Sequence, residues 1–316
     1  MRTDRAAMKT AANRHALRVL LGSLGGGLLI GALTWRVSIG AAWSRRIQPG
    51  WESALTCIGT LTHANAATGR FDQADAPALY QHVVRAVGPG ELPGSFELEE
   101  QWLVWDVATG EKTVKAVYRA LVDARSGVHA DGPAQGQAFV FPRGVRPIDY
   151  TFRTGYLNGL TLAFQDRQRL EGLETYRFSY EGPAEYSEAY AGNGGSKAIR
   201  PSGSQQIKCR DDRFAMQVWV EPMTGEVVKL TEGCPSGDYL YETATDLPVQ
   251  PLARWSGSSA EDEMIGRIAQ LRRQRQRDHW MTRGVPLLLL AAGLVMLAAA
   301  TTRGGWLVRL QPGGAS

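Results

Sequence analysis

The sequence lacks every short motif that marks a common catalytic or cofactor site. It has no GxSxG nucleophile elbow, no P-loop, and no HExxH or CxxC spacing for a metal ion. Its five histidines stand apart from one another, and two of them, His15 and His279, lie beside apolar segments. We therefore expect no catalytic residue, no metal site and no cofactor, and we predict that the chain is not an enzyme.

A large excess of one charge is also missing, because 35 Lys and Arg face 31 Asp and Glu for a net charge of +4. Much of this small excess lies in arginines that flank two apolar segments, where lipid phosphates are better partners than DNA. We therefore expect the lipid bilayer, and no nucleic acid, as a partner. With 44% apolar and 21% charged residues, the middle of the chain has the composition of a globular domain.

The first apolar run, residues 19–43, is interrupted only by Arg36 and is long enough to span a bilayer. Residues 1–18 before it carry five basic residues and one acid, which predicts a cytoplasmic N-terminus. The alternative is a cleaved signal peptide, because residues 40–42 offer a small-residue cleavage site. The run exceeds the usual length of a signal peptide core, which favours an anchor.

The second apolar run, residues 285–302, has no charge and leads into a short cytoplasmic tail, residues 303–316. Residues 258–284 predict an amphipathic helical stalk with Ser259 at its capping box. Its arginines crowd the side that this topology makes external, so charge alone leaves the orientation open. Long domains translocate largely regardless of charge, so we predict a two-pass cytoplasmic membrane protein with an extracytoplasmic domain, residues 44–257.

Four glycines in the first run have small-xxx-small spacing: Gly22 with Gly26, and Gly27 with Gly31. This spacing lets two membrane helices approach closely, and the two anchors of one chain are natural partners. Glycine is also common in membrane helices without such a role, and that alternative stays open.

Two β-hairpins are predicted between the anchors. In the first, residues 96–107 and 113–122 flank a turn that ends at Gly110. In the second, residues 214–220 alternate apolar and polar side chains, and residues 226–231 return as a strand. The turn between them contains Pro222, Thr224 and Gly225, residue types that favour turns.

The remaining patterns predict one more strand, one helix and one loop. Residues 173–180 alternate as a half-buried strand, residues 77–87 have apolar positions at helical spacing, and residues 191–206 are rich in turn formers. We therefore predict an α+β fold: a predominantly antiparallel β domain with a few helices, held by two transmembrane α-helices.

Three cysteines in an exported domain allow one disulfide and one leftover thiol. Cys209 and Cys234 bracket the second hairpin, so pairing of its strands predicts a bridge between them. Cys57 would then be free or paired with another chain.

Five aromatic side chains are candidates for contact with a ligand, because large rings suit a hydrophobic groove. They are Trp102, Trp105, Tyr176, Phe178 and Trp219. Packing in the domain core is the alternative for each of them.

Several phrases resemble a bacterial, largely actinobacterial family of unknown function that is labelled porin PorA. They are Phe139-Val140-Phe141-Pro142, the strand Gly172 to Phe178, and residues 218–227, which read VWVEPMTGEV. The resemblance covers most of the chain, chiefly residues 139–302. It implies a β-rich domain outside the cytoplasmic membrane, held by two helices, and no settled activity.

The leading hypothesis from the sequence is a cell-envelope protein that binds or transfers a lipid or other amphiphile. The main alternative is a non-enzymatic structural or interaction scaffold. A porin or channel is less favoured, because two apolar helices cannot enclose a pore and an outer-membrane pore is a closed barrel of amphipathic strands. The oligomeric state is left open.

Overall fold

The structure, a computed structural model, describes residues 2–302 except 40–46, 66, 72–73, 108–109, 111, 131–135, 154–158, 186–206 and 243. The chain divides into two compact units. One contains Met1–Ser44 with Gln274–Ser316, and the other contains Arg45–Arg273. The predicted loop at residues 191–206 and the tail at residues 303–316 lie outside the described residues.

The first unit is helical. Helix α1 is Arg2–Thr34 and continues as a π-helical segment, Trp35–Ile39. At the other end of the chain, helix α2, Glu261–His279, begins in the second unit and ends in the first, and a second π-helical segment leads from it into helix α3, Val285–Thr302. Two helical stretches are long and apolar enough to cross a membrane: His15–Ser38 and Glu261–Thr301. Two apolar helices therefore flank the β-rich unit, as predicted.

Helices α1 and α3 pack together through one glycine from each. A Cβ at Gly25 would lie 2.9 Å from the carbonyl oxygen of Gly293, and a Cβ at Gly293 would lie equally close to that of Gly25. The indole N–H of Trp35 also donates to the Met281 carbonyl, at 2.9 Å. The prediction of a helix pair is therefore confirmed.

The glycines predicted to mediate this pair do not do so. A Cβ at Gly22, Gly26, Gly27 or Gly31 would meet no atom within 4 Å. The close approach to α3 is instead at Gly25, which lies about one turn from Gly22 on the same face and belongs to neither predicted pair. The spacing pattern identified the correct helix but the wrong register.

The second unit contains ten antiparallel strands. In chain order they are β1 Glu52–His63, β2 Ala76–Pro89, β3 Ser95–Asp106, β4 Lys112–Asp123, β5 Tyr150–Phe152, β6 Leu160–Leu170, β7 Leu173–Glu185, β8 Ile207–Val220, β9 Val227–Glu242 and β10 Leu247–Ser259. They form one curled sheet in the order β4-β3-β2-β1-β10-β9-β8-β7-β6-β5. Both predicted hairpins are present, as β3–β4 and β8–β9. The predicted strand at residues 173–180 is part of β7, and the α+β fold class is confirmed.

The helix predicted at residues 77–87 is wrong, because this segment is strand β2. Its buried residues alternate along the chain: Ala78, Tyr80, His82 and Val84. Leu79 and Val83, which suggested helical spacing, point to the other face. His82 on the buried face makes the period of two less evident in the sequence, because histidine is less apolar than its neighbours Tyr80 and Val84.

A long connection between β4 and β5, which we call the strap and define as residues 124–149, links the two edges of the sheet. Val122 forms a bridge with His129, Val128 with Gln137, and Gln137 with Phe152 of β5. The amide of Gln137 donates to the Thr151 carbonyl, at 2.8 Å. Backbone hydrogen bonds thus run from one edge strand through the strap to the other edge strand.

The N-terminal part of α2 packs on the outer face of the sheet. Ile268 and Leu271 form a small buried cluster with Leu173 of β7 and Val228 of β9. The helix begins at Glu261 and has three acidic residues in its first turn. Their negative charge stabilises the helix N-terminus, which carries the positive end of the helix dipole. Ser259, the predicted cap, instead accepts a hydrogen bond from the amide of Leu230 at 2.9 Å, so that detail is wrong.

Two isoleucines of α2 give a matched test of this docking. Ile268 is 2% exposed, whereas Ile265 on the same helix is 45% exposed. We expect Ile268→Ala to lower the free energy of unfolding of the β unit by about 3 kcal/mol and Ile265→Ala by about 0.5 kcal/mol. Urea denaturation of the full chain in mild detergent, followed by tryptophan fluorescence, measures both. Equal effects of the two variants would show that α2 does not dock through this face.

Candidate functional site

The concave side of the sheet holds a continuous cluster of rings. Alternate residues of each strand point inward, so Trp102 of β3, Phe178 of β7 and Trp255 of β10 all face the interior. The ring centroids of Trp102 and Trp255 lie 6.0 Å apart. Aromatic pairs at such distances stabilise a core beyond the area that they bury. The interior is therefore an apolar space bounded by a single curled sheet.

The strap adds its own rings to this interior. Phe141 is fully buried, and its ring centroid lies 4.7 Å from that of Phe152 and 5.2 Å from that of Phe178. Phe139 packs edge-on against His82, at 4.6 Å. The segment that resembles the family phrase thus inserts two phenyl rings between the strands.

The strap is held by the turn of the second hairpin. The amides of Gly144 and Val145 donate to the carbonyls of Met223 and Pro222, at 3.2 and 2.7 Å. Gly225 has a φ of +76° and approaches the strap so closely that a Cβ there would lie 2.6 Å from the Phe141 carbonyl oxygen and would also overlap that of Pro142. Two of the three sequence phrases that carry the family resemblance, residues 139–142 and 218–227, therefore contact each other.

The same turn is stabilised by a buried carboxylate. Glu221 accepts hydrogen bonds from the amide and the hydroxyl of Thr224, at 2.6 and 2.7 Å. The predicted turn residues thus have distinct roles. Pro222 accepts a hydrogen bond from the strap, Thr224 closes the turn on Glu221, and Gly225 allows the close approach.

The five predicted ligand-contacting aromatics divide between two faces. Trp102, Tyr176 and Phe178 belong to the interior cluster. Trp105 lies on the opposite face of β3 from Trp102, and its backbone pairs with that of Leu79. Trp219 lies on the outer face of β8, where its indole N–H donates to Gln168 at 2.8 Å and Lys229 stacks over its ring at 4.7 Å. The structure therefore brings three of the five aromatic side chains together in the interior, and it places the other two on the outer face of the sheet.

Sequence reasoning missed a buried polar pair in the interior. His82 Nε2 lies 2.6 Å from Glu100 Oε1, and both side chains are buried. The pair connects neighbouring strands β2 and β3. The signal that could have found it is the alternation of His82 with Tyr80 and Val84.

A second buried polar cluster lies where β8 and β9 lose their regular pairing. The register shifts between Asp211 and Ala215 of β8, and on β9 the extra residues lie between Cys234 and Asp238. Because of this bulge, Cys234 Sγ donates to Asp238 Oδ1 at 3.0 Å. Asp211 Oδ1 accepts from the Ser236 hydroxyl at 3.1 Å and from the Arg213 amide at 2.9 Å. Ligand atoms of Asp211, Cys234 and Asp238 all lie within 4.8 Å of one another.

Burial dominates the electrostatics of this cluster. Loss of solvent raises the pKa of Asp211 to about 7, and the nearby negative charge of Asp238 acts in the same direction. Burial also raises the pKa of the Cys234 thiol, again with a contribution from Asp238. Burial also raises the pKa of Tyr80, with smaller contributions from the nearby Cys234, Glu232 and Asp238. Negative charge is therefore disfavoured here unless a cation accompanies it.

The predicted Cys209–Cys234 disulfide is wrong, because Cys234 is a free, buried thiol. Strand pairing places Cys209 opposite Leu240, six residues beyond Cys234. The side chain of Cys209 lies outside the described residues. Cys57 is also free and buried.

A family model described as Porin PorA matches residues 65–302. A comparison with curated proteins finds no significant match. The matched region contains β2 to β10, the strap, the turn that holds it, and helices α2 and α3. Since the match covers more than half of the sequence, this membrane-associated chain belongs to the Porin PorA family.

Proposed function

We propose that the β unit binds or transfers a lipid or other amphiphile at the outer side of the cytoplasmic membrane, and that it does so without catalysing a reaction. The observation that carries this proposal is the aromatic interior of the curled sheet, covered by a strap that inserts Phe139 and Phe141. An acyl chain avoids water for the same reason as these rings. Two apolar helices would keep such a unit beside its lipid source.

The strap offers a specific route for the lipid. Its rings occupy the space between the strands, so an acyl chain that replaced them would keep the interior apolar. For a lipid that arrives from water, burial of the acyl chain contributes about 0.8 kcal/mol for each CH₂ group and offsets part of the cost of exposing the two rings. Release of the lipid would let the rings return to the interior.

Photolabelling tests this proposal without altering the interior. The full chain in mild detergent is mixed with a phospholipid that carries a photoreactive acyl chain, irradiated and mapped by peptide mass spectrometry. Helices α1 and α3 are expected to be labelled as apolar helices in any micelle and serve as the positive control. We expect additional labels on Phe139, Phe141 and Phe178, and none on the outer-face Trp219. Labels confined to the two apolar helices would contradict lipid binding by the β unit.

An interaction scaffold is the second candidate, and an outer-face row favours it. Ile58, Leu79 and Trp105 lie side by side across β1, β2 and β3. Ile58 is 55% exposed, and Val107 just beyond the end of β3 is 51% exposed. Exposed apolar rows of this kind suit a protein partner. Under this reading the photolabel would be absent from the interior, and Ile58→Ser would reduce cross-linking to a partner.

A channel is the third candidate, and it is supported by the family description. The inward side chains of the described strands form a packed core, so a pore would have to be built from several copies or from a rearranged sheet. Stepwise conductance of the purified chain in a planar bilayer would favour this reading over the other two.

A further inference from the structure

We propose that Asp211, Cys234 and Asp238 form a binding site for a divalent cation that accepts thiolate and carboxylate ligands, such as Zn²⁺. One thiol and two carboxylates supply the number of protein ligands that zinc takes when a water molecule completes its coordination. Their ligand atoms already lie within 4.8 Å of one another. In a tetrahedral zinc site ligand atoms are roughly 3 to 4 Å apart, so small side-chain movements would close it.

A second observation points to a ligand at this position. Asp211 is fully buried, and its Oδ2 has no hydrogen-bond partner among the described residues. Leaving a buried carboxylate oxygen unpaired is costly, so each such atom in a folded protein calls for an explanation. The Ser236 hydroxyl and the Arg213 amide already hold Oδ1, which fixes the carboxylate in place and leaves Oδ2 available.

The backbone is shaped to bring these groups together. In a regular strand, residues four apart are about 13 Å from one another. Cys234 and Asp238 nevertheless touch, because the strand bulges at Pro235-Ser236-Gly237, where Gly237 has a φ of +92°. Bulges are over-represented next to functional sites because they redirect side chains. The bulge brings a thiol against two buried carboxylates, and repulsion between the carboxylates disfavours this arrangement unless a cation binds there.

Metal binding would also change the protonation state of the Cys234 thiol. In the metal-free protein Cys234 donates a hydrogen bond to Asp238, so the thiol is protonated. On binding, the cation displaces this proton, which leaves to solvent, and the sulfur becomes a thiolate ligand. Two carboxylates and one thiolate carry three negative charges, so the two positive charges of the ion neutralise most of the charge of the ligands.

Cobalt substitution tests the site. The full chain in mild detergent is treated with EDTA, desalted and titrated with Co²⁺, whose bond to a thiolate gives a near-ultraviolet charge-transfer absorption. We expect one Co²⁺ per chain, displaced by Zn²⁺, with the absorption lost in Cys234→Ser. Cys57→Ser is the matched control, since Cys57 is an equally buried free thiol outside the cluster. It should keep the absorption.

Asp211→Asn gives a second readout that does not depend on changing the cysteine. This variant removes a buried charge and is expected to fold, as far-ultraviolet circular dichroism would verify. Its Co²⁺ affinity should fall by at least tenfold, and added Zn²⁺ should no longer raise the melting temperature. The absence of a thiolate band in the folded wild-type chain, or a band that survives Cys234→Ser, would overturn the proposal.

Discussion

Replacing Phe141 with alanine is expected to lower the free energy of unfolding of the β unit by about 4 kcal/mol. The ring is fully buried, and three other rings surround it: Tyr150, Phe152 and Phe178. Its removal leaves a cavity that neighbouring strands cannot fill, because hydrogen bonds fix their spacing. The strap would also lose its deepest anchor. Urea denaturation in mild detergent, monitored by tryptophan fluorescence, gives the free energy.

Phe141→Leu is the control for this prediction. Leucine keeps most of the buried apolar volume, so the expected loss is about 1.5 kcal/mol. The difference between the two variants isolates the cavity from a general effect of changing the strap. If both variants lost less than about 1 kcal/mol, Phe141 would not be an anchor and the strap would contribute little to the fold.

Gly225→Ala is expected to cost about 3 kcal/mol through two separate effects. The first is the positive φ of 76°, which any residue with a Cβ adopts at a cost of about 1 kcal/mol. The second is steric, because the new methyl group would meet the carbonyl oxygens of Phe141 and Pro142. Overpacking of this kind typically costs about 1–3 kcal/mol. The strap would have to move away from the turn to relieve it.

Gly110→Ala separates the two effects. Gly110 ends the first hairpin turn with a φ of +70°, but a Cβ there would have no atom within 4 Å. It should therefore show only the conformational cost, about 1 kcal/mol. The same denaturation measurement compares the two variants. If both variants lost the same free energy of unfolding, the strap would not contact Gly225 as closely as the structure shows.

Local patterns predicted the two hairpins correctly because each depends on nearby residues. Alternating apolar side chains and a glycine-bearing turn are enough to define both strands of a hairpin. Strand β2 shows the limit of this approach. Its burial pattern includes His82, whose partner Glu100 belongs to another strand, so the sequence of β2 alone gives no sign of the group that pairs with a buried histidine.

The candidate cation site could not be predicted for a related reason. Asp211 lies on β8, and Cys234 and Asp238 lie on β9, at a spacing that matches no metal motif. Their proximity depends on the register of two strands and on a bulge, both of which depend on the packing of the whole sheet. The misplaced disulfide has a simpler origin, because Cys209 lies farther from the hairpin turn than Cys234, and regular pairing of the two strands already keeps them apart.

The position of β1 beside β10 also bears on how the unit folds. Thr60 and Ser256 pair across this contact although 196 residues separate them. During synthesis the N-terminal strand must wait, with one edge unpaired, until nearly the whole unit has emerged. Non-local pairing of this kind slows folding and leaves the edge open to aggregation. Truncation before β10 should therefore leave a nascent chain that depends on chaperones, even though nine of the ten strands are already present.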